Sequence, residues 1–158
     1  MEDLDLRELE NFETVWRRVQ GEDTPIVPAK QERDTDGLQS LLDEKYGQTR
    51  LLSALSRHFQ GGIRQGLQQL AAEERKQYRF LEMHYFLLTG RRHRPMQNGT
   101  AFSGGLTGLR MAWQREKDFS ALTVPSGTLP EETLQIIAAE DEKHAAQIYA
   151  LIRKIMLG

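Results

Sequence analysis

Cysteine is absent from this 158-residue chain. Disulfides, zinc ribbons, iron–sulfur clusters and four-thiolate iron centres all need thiolate sulfur, so none of them can be built. Any bound metal must be held by carboxylate and imidazole, a donor set that suits iron, manganese or zinc. Positive charge is not in excess either. With 21 Lys and Arg against 23 Asp and Glu, the net charge of -2 gives no electrostatic case for nucleic acid or an anionic membrane. No apolar run is long enough to cross a bilayer. The start, Met1-Glu2-Asp3-Leu4-Asp5, lacks the apolar core of a secretory signal. These absences lead us to expect a cytoplasmic protein with no membrane or nucleic-acid partner. The length suits one domain with one sizeable core.

What is present is helical periodicity. Leu6, Leu9, Phe12, Val15, Trp16 and Val19 predict a short amphipathic helix within residues 1–20. Residues 21–36 form a linker, because Pro25 and Pro28 block a helix and the charges that follow have no apolar period. Four longer helices follow within residues 37–158. The first is predicted from about Gly37 to Gln60, with Leu38, Leu41, Leu42, Leu51, Leu52, Leu55 and Phe59 inward and Gly61-Gly62 as its breaker. The second is predicted from about Ile63 to Thr89, with Leu67, Leu70, Leu81, Leu87 and Leu88 inward and Gly90 as a left-handed cap. A long connection from Arg91 to Gly105 leads to the third, about Leu106 to Thr123, with Leu109, Trp113, Phe119 and Leu122 inward. Thr128 and Glu131 predict a capping box for the fourth, which continues to about Met156. Short link, long crossover and short link predict an all-α bundle of two antiparallel hairpins.

One passage occurs twice. Leu70-Ala71-Ala72-Glu73-Glu74-Arg75-Lys76-Gln77 recurs as Ile137-Ala138-Ala139-Glu140-Asp141-Glu142-Lys143-His144. Each copy puts an acid and a second polar group three residues apart on the apolar stripe, so both side chains point the same way. A carboxylate on a buried stripe costs several kcal/mol or more unless it is paired or bound, and a divalent ion supplies the compensating charge. Asp141 and His144 read as half of a metal site, and Glu74 and Gln77 as the same half with its imidazole replaced. Glu116 lies between Trp113 and Phe119 on the third helix. The first helix leaves two alternatives open: Glu44, on a flank, and Thr49, which is level with Glu74 if the hairpin turns at Gly61-Gly62. His84 shares the second helix's seam but lies about 10 Å along the axis at the standard rise.

With these residues the stretch from Gly37 to Met156 resembles the rubrerythrin branch of the ferritin-like superfamily. The resemblance implies a ferritin-like four-helix bundle whose core binds one or two ions of iron or manganese. It implies as ligands Glu74, Glu116, Asp141 and His144, with Glu44 as a further candidate. Gln77 departs from the histidine of that pattern. The implied activity is non-haem di-iron oxidoreductase chemistry toward peroxide or oxygen, as in a rubrerythrin-like peroxidase, or iron handling, with an unidentified electron donor. The alternative is a non-catalytic helical scaffold or interaction protein whose metal site has decayed. The N-terminal helix is too short to stand alone in water and must dock, on its own bundle or in a homodimer. Arg91-Arg92-His93-Arg94 suits the dipole at the end of the second helix and could also contact phosphate.

Overall fold

Four helices account for most of the residues that the computed structural model describes, which are 35–96, 101–121 and 128–158. They are α1 (Asp36–Ser56), α2 (Gly61–Thr89), α3 (Gly105–Ala121) and α4 (Glu131–Leu157), and no strand occurs among the described residues. The predicted N-terminal helix and most of the linker lie outside the described residues. No described helix is long and apolar enough to cross a membrane.

The predicted stripes do most of the packing. α1 packs mainly on α2 and α3 on α4, with α1–α3 and α2–α4 contacts joining the pairs. One apolar cluster takes Leu51, Leu52 and Leu55 from α1, Leu67, Leu70 and Ala71 from α2, Leu109 and Ala112 from α3, and Ile148 and Ile152 from α4. A second takes Leu38, Leu41 and Leu42 from α1, Leu81 and Tyr85 from α2, Ile137 from α4, and Leu129. Each fully buried leucine contributes roughly 1.5–3 kcal/mol. This pairing of early with late residues makes α1 antiparallel to α2, and α3 antiparallel to α4. The end of α2 and the start of α3 lie at opposite ends of the bundle.

Close approach of α1 and α3 depends on Gly108, where an added Cβ would meet Leu55 Cδ2 at 2.4 Å and the Phe102 ring at 3.0 Å. Gly108→Val is expected to lower stability by about 1–3 kcal/mol through overpacking, seen as a lower urea midpoint with an unchanged slope.

Four sequence expectations about the helices are corrected. α1 ends at Ser56 rather than near Gln60, in tight turns where Arg57, His58 and Phe59 donate to Ala54, Leu55 and Ser56. Gly61, at φ 62°, opens α2 instead of breaking α1. α4 begins at Glu131 with an extended Pro130 before it and no side-chain cap bond, two residues later than a Thr128 cap requires. Leu87 is 63% exposed, off the buried stripe. Gly90 is the left-handed cap expected, its N–H donating to Phe86 O.

Candidate metal centre

Between the two apolar clusters every helix places polar residues on its buried stripe. α1 brings Lys45 and Gln48, α2 Glu74 and Gln77, α3 Glu116, and α4 Asp141 and His144, all buried. Glu74, Glu116, Asp141 and His144 each offer one ligand atom, and these atoms lie within 4.8 Å of one another. Four of the five ligand candidates named from sequence therefore converge.

Glu44 is not among them. It is only partly buried, and its neighbour Lys45 is the α1 residue that enters the cluster. Thr49 is buried but spends its hydroxyl on Lys45 O at 3.0 Å, one turn back along its own helix. The cause is axial register. Because α1 stops at Ser56 and residues 57–60 make the turn, the level opposite Glu74 falls at Lys45, one turn earlier than Thr49. His84 is also outside the group; it is half-buried against the Phe80 ring at 4.8 Å, and burial lowers its pKa.

Lys45 is the residue the sequence reading missed. Its Nζ donates to Asp141 Oδ1 and to Gln77 Oε1, each at 2.6 Å. It also lies 3.2 Å from Glu74 Oε2 and 4.3 Å from the centre of the Phe119 ring. A fully buried ammonium costs several kcal/mol unless acids surround it. The signal was a gap. Leu38, Leu41, Leu52 and Leu55 mark a three–four seam in which Lys45 and Gln48 occupy the missing steps. Gln77 fits this neighbour: its Oε1 accepts from the ammonium, and its Nε2 donates to Glu140 Oε2 at 2.8 Å. Gln48 Nε2 donates to Glu116 Oε1 at 3.1 Å and to Ala112 O at 2.9 Å.

His144 is aimed from both sides. Nδ1 faces Glu74 Oε1 at 2.9 Å, with Glu116 Oε1 at 3.8 Å and Asp141 Oδ1 at 3.9 Å. Nε2 faces outward to Glu73 Oε2 at 2.7 Å. A carboxylate on the far nitrogen fixes ring orientation and raises the ligand's basicity, the usual outer support of a metal-bound histidine.

The protonation states follow from burial set against neighbours. Burial works to raise Glu74, but Lys45 and the His144 hydrogen bond outweigh it and hold the carboxyl at about 2. Burial and the Glu74 charge push Glu116 up to about 11, so it is a neutral acid at pH 7. Burial raises Asp141 to about 6, with Lys45 opposing. Burial disfavours charge on Lys45, yet Glu74, Asp141 and Glu116 together hold its pKa above the ordinary value. For His144 the hydrogen bond to Glu74 overcomes burial and raises the pKa.

Three acids each retain a buried oxygen without a hydrogen bond: Glu74 Oε2, Glu116 Oε2 and Asp141 Oδ2. Glu74 Oε2 has the Lys45 charge nearby but lies off the hydrogen-bond direction. Buried polar atoms are normally paired; two of these oxygens belong to ionised acids, the third becomes a free acceptor once Glu116 gives up its proton, and three such oxygens in one cluster suit a cation. The residues therefore fit a metal ion held by oxygen and one imidazole nitrogen. Compared with family models, curated proteins and solved structures, the chain matches none.

Proposed function

We propose that this chain is a metal-binding protein of ferritin-like architecture that takes one divalent iron or manganese ion on Glu74, Glu116, Asp141 and His144, for redox chemistry toward peroxide or oxygen. The observation that carries this reading is the set of unsatisfied carboxylate oxygens, one from each of three helices, beside a histidine oriented from behind. Charge selects one ion rather than two. Three ionised carboxylates balance one divalent ion together with the Lys45 ammonium, His144 being neutral; a second divalent ion leaves an excess of positive charge in a dry core. Lys45 thus stands for the second cation of the two-metal pattern that the sequence resembles, and Gln77 gives that ammonium an acceptor where an imidazole would have competed for metal.

When bound, the ion supplies one-electron redox change and Lewis acidity. The chain's own groups set the rest. His144 and Glu116 give up protons when they become ligands, because only the deprotonated forms bind. Lys45 Nζ is a fixed donor at the edge of the cluster, placed to hold an anionic oxygen or release a proton to it. The apolar clusters on either side keep out bulk water.

Protein expressed with iron and manganese is expected to carry about one ion per chain, and the Asp141→Ala/His144→Ala double variant to carry none. Added Fe(II) or Mn(II) should raise the melting temperature of the metal-free chain, since a ligand selective for the native state stabilises it. Elemental analysis well below one ion per chain, with no thermal shift, would sink this reading.

A second reading has its own support. Without metal, Lys45 and protonated His144 already balance ionised Glu74 and Asp141 while Glu116 stays neutral. On that reading the cluster is a buried ionic network in a non-catalytic bundle. The same thermal-shift measurement separates the two.

A further inference from the structure

The outer face of α2 carries charge and apolar surface that the bundle does not use. Arg75, Lys76, Arg79, Phe80, Met83 and Leu87 share the arc of the helix turned away from the buried Leu70, Glu74 and Leu81. Among the described residues none of the three basic side chains has an ion-pair partner. The acids of the same stretch are already engaged. Glu73 meets His144 Nε2 at 2.7 Å, Glu74 belongs to the metal cluster, and Glu82 accepts from the Tyr78 hydroxyl at 3.2 Å. Beyond the basic half the face turns apolar: Leu87 is 63% exposed, and Phe80 and Met83 are half-buried.

We propose that residues 5–19 of the same chain dock along this face as an amphipathic helix. Charge selects the occupant. The start of the chain carries Glu2, Asp3, Asp5, Glu8, Glu10 and Glu13 against Arg7 alone, followed by an apolar stripe that ends in Trp16 and Val19. Length agrees: as a helix Leu6 to Val19 covers about 20 Å, and Arg75 to Leu87 about 18 Å. The chain also leaves the described bundle beside this face. Gln39 Nε2 bonds Tyr85 OH at 3.0 Å and Leu38 packs in one cluster with Leu81, so the start of α1 is level with the last turns of α2. Residues 20–34 reach about 50 Å when extended, enough to bring Val19 back to Leu87. That route sets the direction, with Asp5 and Glu8 arriving at Arg75 and Arg79. A tether makes the contact intramolecular, at an effective concentration on the order of millimolar, which favours this segment over that of a second copy. Residues 97–100 and 122–127 are tied at both ends and too short to follow the face.

The test is cross-linking in the full chain, which has no cysteine of its own to interfere. Val15→Cys/Leu87→Cys, treated with a short bis-maleimide, should give a link within one chain, read as a monomer on a denaturing gel and as a joined peptide pair by mass spectrometry. Val15→Cys/Arg110→Cys, with the second cysteine at an exposed position of α3, should link at least fivefold less. Arg75→Glu/Arg79→Glu, at exposed positions that leave the core untouched, should cut the Leu87 link at least fivefold, and adding Asp5→Lys/Glu8→Lys should restore it. Metal-free protein is used throughout, so the outcome is independent of the metal reading. A covalent dimer would assign the face to a second copy and overturn the proposal. So would no link at Leu87, equal yields at Leu87 and Arg110, a charge variant that links as wild type, or a reversed set of charges that fails to restore the link.

Discussion

Glu116→Gln is expected to make the metal-free protein more stable at neutral pH and at the same time to weaken metal binding sharply. Burial and Glu74 hold Glu116 protonated up to about pH 11, whereas an unfolded chain ionises it near 4.5. Above pH 4.5 the unfolded state therefore binds fewer protons than the folded state, and stability falls as pH rises, by about 1.4 kcal/mol per unit from this group. By pH 7 the accumulated cost is about 3 kcal/mol by the same linkage. Glutamine has the shape of the neutral acid, can still accept from Gln48, and does not ionise in either state. The variant should gain up to that amount at pH 7, gain little at pH 4, and lose the downward slope between. Asp141, raised to about 6, adds a smaller fall in the wild type between its ordinary value of 3.8 and 6. Glu74 has the opposite sign: its depressed pKa adds stability above pH 4.5, lost as pH falls toward 2. The cluster alone thus favours metal-free protein most near pH 4–5. Metal affinity should drop by about 100-fold or more, beyond the 10–100-fold that loss of an outer-shell partner costs. Urea melts of chelated wild type and variant across pH 4–8, with Mn(II) titration, check both halves. A variant less stable than wild type at pH 7, or one that keeps the wild-type slope, would contradict this account.

Lys45→Met should have the largest destabilising effect of any single change in the polar layer. Methionine nearly matches the length of the lysine stem but takes away the ammonium, leaving Glu74 with His144 as its one charged partner and Asp141 with no cation in hydrogen-bond contact. Removing one partner of a buried ion pair costs about 3–5 kcal/mol. The loss should shrink below pH 5, where the two acids accept protons instead, and divalent metal should recover much of it at pH 7 by supplying the missing charge. That recovery bears on the metal reading. If Lys45 and a metal ion answer the same three carboxylates, the variant must gain more from Mn(II) than the wild type does. A loss under about 1 kcal/mol in the metal-free variant would mean that the ammonium is not what balances the acids.

Periodicity alone determined much of this protein. The three–four spacing of leucines and isoleucines set four helices, and the same spacing carried Glu74, Gln77, Asp141 and His144 inward, since a side chain's face is fixed by its position along a helix. Glu116 followed from its place between Trp113 and Phe119. Gly90 was legible because a left-handed cap has a chemical signature. The Gly61-Gly62 break was misleading, because Gly61 tolerates its positive φ equally well as the first residue of α2. Only the tertiary structure decided what α1 contributes. The angular position of a residue can be read from one helix, but its axial level against another depends on where the turn between them closes. Closure over residues 57–60 set Lys45, rather than Glu44 or Thr49, opposite Glu74. A lysine beside Glu44 and Tyr46 looks solvated in sequence, because burial of its charge is tolerable only with carboxylates that three other helices bring to it. The inward turn of His93 was equally invisible: loop residues have no period, and its ring partners, Asp43 at 2.8 Å and Tyr78 at 3.0 Å, lie 50 and 15 residues away along the chain.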